Sequence, residues 1–282
     1  MLVVIVIYLN NWRAILRSAG VLDASARPIS SSLSLSHILI YDNSPQAQVF
    51  TGQDRCTYFH DSCNGGTRAA YIYAHELALK MGFEWMQFLD QDTEVPAAYW
   101  AWLESLTAAE LENISVIVPM VQSNGVVVSP NRMDSLGRLR PASASCQVKI
   151  PIGSWVSAIA SGMVIRVRSF GALGSIPEVF WLDSLDHWMF IRFADLRLRV
   201  LRSPIYFSHD LAFSSPEKMP ISRLLNIIKS EGALVSYLPL AAKLYWPLRL
   251  IKYLSHLFVA MMMSVLTSCG FRLPRAYEKP RR

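Results

Sequence analysis

The chain has 282 residues, 52% of them hydrophobic and only 17% charged, a composition that excludes a disordered chain and supports a large buried core with apolar surface to spare. A net charge of +6 suits a partner carrying phosphates, whether a nucleotide, a nucleic acid or an anionic lipid. The four cysteines, Cys56, Cys63, Cys146 and Cys269, form no CxxC pair; this argues against a disulfide framework, and Cys56, His60 and Cys63 read as ordinary side chains rather than a soft-metal site.

In chain order, "MLVVIVIYLNNW" lacks a basic start and turns polar at Asn10 and Asn11, so it predicts a first strand, Leu2 to Tyr8, rather than a secretory signal. A helical pattern follows from Trp12 to Val21, then the serine-rich loop "ISSSLSLS", then a strand from His37 to Tyr41. "NGGTRAAY" leads into a helix over Thr67 to Met81, and a strand over Trp85 to Leu89 precedes a helix over Ala97 to Leu106. Further strands are predicted at Ser115 to Val121 and Met163 to Val167, each rich in β-branched or aromatic residues. Alternating strands and helices predict an α/β domain, a mainly parallel sheet with helices on both faces. After Pro216 the pattern becomes helical, which divides the chain into 1–215 and a helical extension, 216–282.

In such sheets ligands bind beyond the carboxyl ends of the strands. Three strands end there in polar residues, in "IVIYLNN", "ILIYDNSP" and "MQFLDQDT", and together they predict one cleft. Asp90 and Asp92 lie on opposite sides of the backbone if the strand continues, and fan around one point if the chain turns at Gln91. In the second case they suit a hard divalent cation, Mg²⁺ or Mn²⁺, which takes one or two carboxylates and bridges to substrate phosphates. Two solvated aspartates in a turn are the other reading. The paired glycines of "NGGTRAAY" allow close approach of backbone to an anion. In "FWLDSLDHWMFIR", Asp183 and Asp186 stand amid aromatics, where partial burial raises a carboxylate toward the range of a working base.

The ordered set "VVIVIY", "ILIYDNS", "NGGTRAAY", "WMQFLDQDT", "IASGMVI" and "FWLDSLDHWMFIR" resembles the successive motifs of family 2 glycosyltransferases with the GT-A fold, especially the rhamnosyltransferase-like branch. The resemblance covers residues 1 to 212. It implies a mixed, Rossmann-like sheet with helices on both faces, and a metal-dependent inverting transfer of sugar from a nucleotide-diphosphate donor to a glycan or lipid-linked acceptor of a surface polysaccharide. dTDP-rhamnose is the first implied donor, with UDP-sugars next. By the same resemblance Asp42 would hydrogen-bond the nucleotide base, with Tyr8 and Asn43 lining its pocket and Asn64 and Gly66 against the nucleotide. Asp90 would face the ribose and the metal, Asp92 would hold the metal, and His209 would complete its shell or else be a plain edge-strand histidine. Asp186 would be the general base. Asp183 would orient the acceptor or the base, or else cap a helix. Ser161, Gly162 and Trp181 would lie beside the acceptor, although a tight bend explains the first two as well. Ile72, Trp188 and Leu9 depart from the family pattern, which keeps open a nucleotide-sugar or glycan-binding protein that has lost the activity.

The run "LFVAMMMSVL" is shorter than the ~20 residues of a spanning helix. From Lys243 to Thr267 a helical pattern places Arg249, Lys252 and His256 on one face, with Tyr245, Trp246 and Tyr253 suited to headgroups, and the basic "FRLPRAYEKPRR" follows. The expectation is a cytoplasmic protein attached peripherally to the inner face of the membrane; packing of this helix on the catalytic part or on a second copy is the alternative. A nucleic-acid surface is set aside, because the basic residues sit among long apolar side chains without a stacking platform.

Overall fold

Successive residues of a strand face opposite ways, and the first strand, β1 (Leu2–Ile7), buries both sets: Leu2 and Val4 belong to one apolar cluster, Val3, Ile5 and Ile7 to another. Such a strand must be central, with helices covering both faces of its sheet. In the computed structural model, which describes residues 1–18, 20–21, 36–52, 54–123, 125–141, 149–150, 155–208 and 221–268, β1 is indeed interior. It is flanked in parallel by β2 (His37–Asp42) and β4 (Trp85–Asp90), and β3 (Cys56–His60) pairs with β2 beyond. Because β1 has neighbours that follow it in the chain on both sides, the strand order reverses there, the position at which open α/β sheets leave a crevice. The register brings the three ends level, Ile7 beside Asp42 and Val6 beside Asp90.

Beyond β4 the sheet becomes mixed. The short β11 (Val164–Arg166) runs antiparallel between β4 and β5 (Val116–Ser123), β12 (Val200–Ser208) lies parallel to β5, and β6 (Val126–Ser129) and β9 (Lys149–Ile150) complete nine strands among the described residues. A separate three-stranded sheet joins β7 (Asn131–Met133), β8 (Leu139–Pro141) and β10 (Val156–Ser157). The reversal that sequence periodicity does not anticipate is made at Gly162, whose φ of +85° and N–H bond of 2.7 Å to the Phe88 carbonyl fold the chain back along β4. A Cβ there would come within 2.5 Å of the Phe207 ring, so only glycine fits the turn.

Helix α1 (Trp12–Ser18) and helix α3 (Ala97–Ser105) cover one face through Trp12, Leu16, Tyr99 and Trp100. Helix α2 (Gly66–Met81) covers the other, stacking Tyr71 on Phe88 at 3.7 Å between ring centres. The short α4 (Ala108–Leu111) leads into β5; α5 (Val167–Gly171) and α6 (Leu185–Asp195) join α2 on its face. Leu234 of α7 (Ile221–Val235) and Ala242 of α8 (Leu240–Ser268) belong to that same cluster.

Helix α8 has two distinct faces. Arg249 donates to Glu231 of α7 at 2.7 Å and to the Gly137 carbonyl at 3.2 Å, Tyr253 donates to Glu231 at 2.6 Å, and Trp246 covers Gly232. The opposite face leaves Leu240, Leu244, Leu248, Ile251, Phe258 and Met262 exposed. The expected headgroup positions of Trp246 and Tyr253 are thereby corrected: with Arg249 they pin α8 to α7, and the apolar residues point outward. Lys252 and His256 fall outside the described side chains. Among the described residues no helix is long and apolar enough to cross a membrane.

Candidate functional site

At the level ends of β1, β2 and β4 lies a cavity of about 500 Å³. Its shape starts at β4. Asp90 ends that strand, and the Thr93 N–H donates to the Asp90 carbonyl at 3.1 Å, closing a turn over Gln91 and Asp92. The chain thus turns at Gln91, and Asp90 and Asp92 both line the cavity. Gln91 locks the turn to the neighbouring strand by accepting the Tyr8 N–H at 2.7 Å. From below, Ser161 accepts the Asp90 N–H at 3.1 Å and hydrogen-bonds the Thr93 hydroxyl. Ser161 is itself buried. It and Gly162 lie outside the cavity lining, the one supporting the two-aspartate turn and the other making the tight bend.

Tyr8, Asn43, Asn64, Gly66 and Trp181 line the same cavity. Asn64 and Gly66 adopt φ of +51° and +71°, which aim the loop before α2 inward. The Asn43 side-chain oxygen accepts the Gly66 N–H at 3.2 Å, tying the end of β2 to the start of α2. A Cβ on Gly66 would stand 2.4 Å from both the carbonyl oxygen and the indole ring of Trp181, so glycine is required for the indole to close that wall. Asp61, which sequence reasoning missed, holds the loop by accepting from the Tyr41 hydroxyl at 2.8 Å and the Gly65 N–H at 2.9 Å.

Asp42 is placed differently from its expected contact with a base. Its side chain is fully buried behind Asn43, with one oxygen accepting the Ser44 N–H at 2.9 Å and the other accepting from the Tyr58 hydroxyl at 2.6 Å and from Gln48 at 3.1 Å. Burial pushes this carboxyl up, but the hydrogen bonds outweigh it and hold the group below its usual range. Asp42 therefore shapes the pocket from behind.

Asp90 has the opposite balance: burial, then the charges of Asp92 and Asp186, push its carboxyl up to about 7. Asp186, in the first turn of α6, is thus close enough to feel the cavity's charge although it does not line it. Asp183 is raised chiefly by burial, against the pull of Arg223. Its role as a helix cap is excluded, since the residue at the N-terminus of α6 is Ser184, whose side chain caps nothing. Trp188 is buried against Phe180 and Tyr237, so its departure from the family pattern is a packing choice beneath the C-terminal helices. Ile72 packs half-buried against the core.

A carboxyl group pushed up by burial and by the carboxylate beside it is a donor set a dication would relieve, and the hard oxygens of Asp90 and Asp92 match Mg²⁺ or Mn²⁺. Among the described residues no three His, Cys, Asp or Glu side chains gather as a cage. The pair therefore fits a cation that draws its other ligands from water and substrate. His209 lies outside the described residues. Sequence reasoning also missed Gln91, the unassigned middle residue of the motif, and Thr67, Leu182 and Arg223 of the lining. Arg223 belongs to a distant helix and carried no local signal.

No protein-family model matches the chain, and no curated protein matches it in sequence. Solved structures do. A crystal structure of GalNAc-T7 with UDP, GalNAc and Mn²⁺ superposes with a TM-score of 0.54 at 13% identity, over 81% of this chain and 47% of that one. The chain thus spans about half the length of that protein. A crystal structure of S. aureus TarS residues 1–349 in complex with UDP-GlcNAc gives a TM-score of 0.49 at 13% identity, over 99% of this chain and 95% of the other. What the chain shares with GalNAc-T7 is the fold, a GT-A mixed sheet with helices on both faces.

Proposed function

We propose that the protein is a nucleotide-sugar-dependent glycosyltransferase that transfers with inversion. The observation that carries this reading is the cavity at the switch point of the sheet, where Asp90 and Asp92 share a lining with Tyr8, Asn43, Asn64 and Gly66. The shared fold supports it, and GalNAc-T7 was crystallised with UDP and Mn²⁺.

In this reading Tyr8 and Asn43 receive the nucleoside, and Asn64 and Gly66 bring backbone close to it. Asp92, with Asp90 beside it, would hold the divalent cation. That ion supplies Lewis-acid stabilisation of charge on the departing nucleoside diphosphate. Asp186 takes the proton from the acceptor hydroxyl as that oxygen bonds to the anomeric carbon; the bond from that carbon to the diphosphate oxygen breaks, and its electron pair leaves with the nucleotide. Asp186 lies in the first turn of α6, at the positive end of the helix, where a carboxylate is favoured. Trp181 walls the side on which an acceptor would enter.

The finer reading is a rhamnosyltransferase-like enzyme of surface polysaccharide synthesis, using dTDP-rhamnose or a UDP-sugar and a lipid-linked acceptor, and seated on the inner face of the membrane. The outward apolar face of α8 and the basic residues near the end of the chain support that seat.

Calorimetric titration of dTDP-rhamnose and UDP-GlcNAc, each with and without Mn²⁺, tests the core of the proposal. Binding of at least one donor is expected, strengthened by Mn²⁺, and weakened about 10-fold or more in Asp92→Asn through loss of a charged ligand. Failure of every donor to bind, or binding indifferent to both the metal and the substitution, would overturn it.

A further inference from the structure

The cavity's electrostatics leave a problem that its two aspartates cannot solve. Among the described residues lining it, Asp90 and Asp92 are the acidic side chains, and the single basic one is Arg223. A diphosphate entering this space meets like charge, and one dication offsets only part of that. Arg223 comes from α7, within the segment that sequence reading separates from the catalytic part.

Three features make Arg223 more than a surface arginine. First, it is held loosely: its Nη2 lies 3.5 Å from Asp183 Oδ1, and its side chain is 43% exposed and lines the cavity. The guanidinium fork therefore keeps donors free for a second partner, and two parallel N–H groups match phosphate oxygens better than any other side chain. Second, its helix is fixed to the loop that carries Asp183. Ser230 meets Ser184 at 3.1 Å between hydroxyl oxygens, and Tyr237, just past the helix, packs on Phe180 and Trp188. Third, Asp183 Oδ2 is buried with no hydrogen-bond partner among the described residues, so Asp183 and Arg223 do not satisfy each other as a finished ion pair would.

We infer that Arg223 binds the diphosphate of the donor, its fork turning from Asp183 to the phosphate oxygens as the nucleotide enters, so that α7 completes the phosphate side of the cavity. The inference rests on the nucleotide-sugar reading above and extends it to a helix outside the motifs that suggested that reading.

The test compares nucleoside diphosphates (UDP and dTDP) with the matching nucleosides (uridine and thymidine) by calorimetry in Mn²⁺. Arg223→Ala and the bulkier Arg223→Gln should each lose about 10-fold or more in diphosphate affinity, as for a charged hydrogen bond, and nothing for the nucleoside. Arg223→Lys should recover part of the loss. Asp183→Asn, which removes the competing carboxylate, should bind the diphosphate as tightly or more tightly. If the Arg223 variants weaken nucleoside and diphosphate by one common factor, or leave both unchanged, the inference is overturned while nucleotide binding stands. A protein that binds neither ligand would overturn the nucleotide reading and this inference together.

Discussion

Asp42 and Asp92 are both aspartates at strand ends, and their surroundings give them opposite tasks. Asp92 is exposed at the cavity, whereas Asp42 is buried among four donors, counting both the N–H and hydroxyl of Ser44. The position of each at the end of an apolar strand was legible in the sequence. What was not legible is that Tyr58 and Gln48, 16 and 6 residues further on, fold back to occupy Asp42. The consequence is a stability that depends on pH. Because the folded Asp42 carboxyl lies below its unfolded value of ~3.9, it binds fewer protons in the folded state. Its contribution is complete above about pH 5 and disappears as pH falls through the folded value. Thermal unfolding of Asp42→Asn should show a loss of about 1–3 kcal/mol at pH 7, and a gap to the unmodified protein that narrows steadily below pH 4. A gap constant with pH would mean that Asp42 contributes packing rather than charge.

At the scale of elements, β1, β2 and β4 were legible as short, nearly continuous apolar runs, and α2 by the helical spacing of its apolar residues. Strand β3 was not, since all five of its residues are only half-buried at the sheet edge. The short β11 was legible as a strand but not in its direction, which depends on the Gly162 turn and on Arg166. Arg166 ends β11, buried, with Nε donating to the Ile114 carbonyl at 2.7 Å and Nη2 to the Leu111 carbonyl at 2.8 Å. It also pairs with Glu84 and lies over the Trp85 ring at 4.3 Å. One side chain thus joins the end of α4 to the starts of β4 and β5. Its partner Glu84 is exposed, so the ion pair contributes little; the two carbonyls matter more. Arg166→Ala should lower the urea unfolding free energy by about 2–4 kcal/mol without changing its slope. Arg166→Lys, lacking the fork, should recover less than half. An alanine variant as stable as the unmodified protein would show that water replaces both bonds.

For the whole molecule, α7 and α8 connect the cavity to a surface. Arg223 reaches the cavity, Glu231 on the same helix grips Arg249 and Tyr253, and α8 turns its other face outward. Sequence periodicity revealed the long helix but assigned its aromatic and basic residues to the outer face, because a helix that is apolar nearly all round does not declare which side is packed. With the inner face fixed, the outer stripe from Leu240 to Met262 extends for about 33 Å at ~1.5 Å per residue. Its exposed leucines, isoleucine and phenylalanine suit an interface between headgroups and acyl chains. In co-sedimentation with vesicles containing anionic phospholipid, the full chain should bind. Leu244→Glu with Leu248→Glu should reduce the bound fraction about 10-fold or more, because each change removes apolar burial and adds a repelled charge. Thermal stability should be unaffected, since both side chains are already in water. Equal sedimentation of the double variant would remove the lipid from this face. Loss of a dimer in sedimentation velocity, with vesicle binding intact, would give the face to a second copy instead, and the cavity at the far end of α7 would then be coupled to assembly rather than to a membrane.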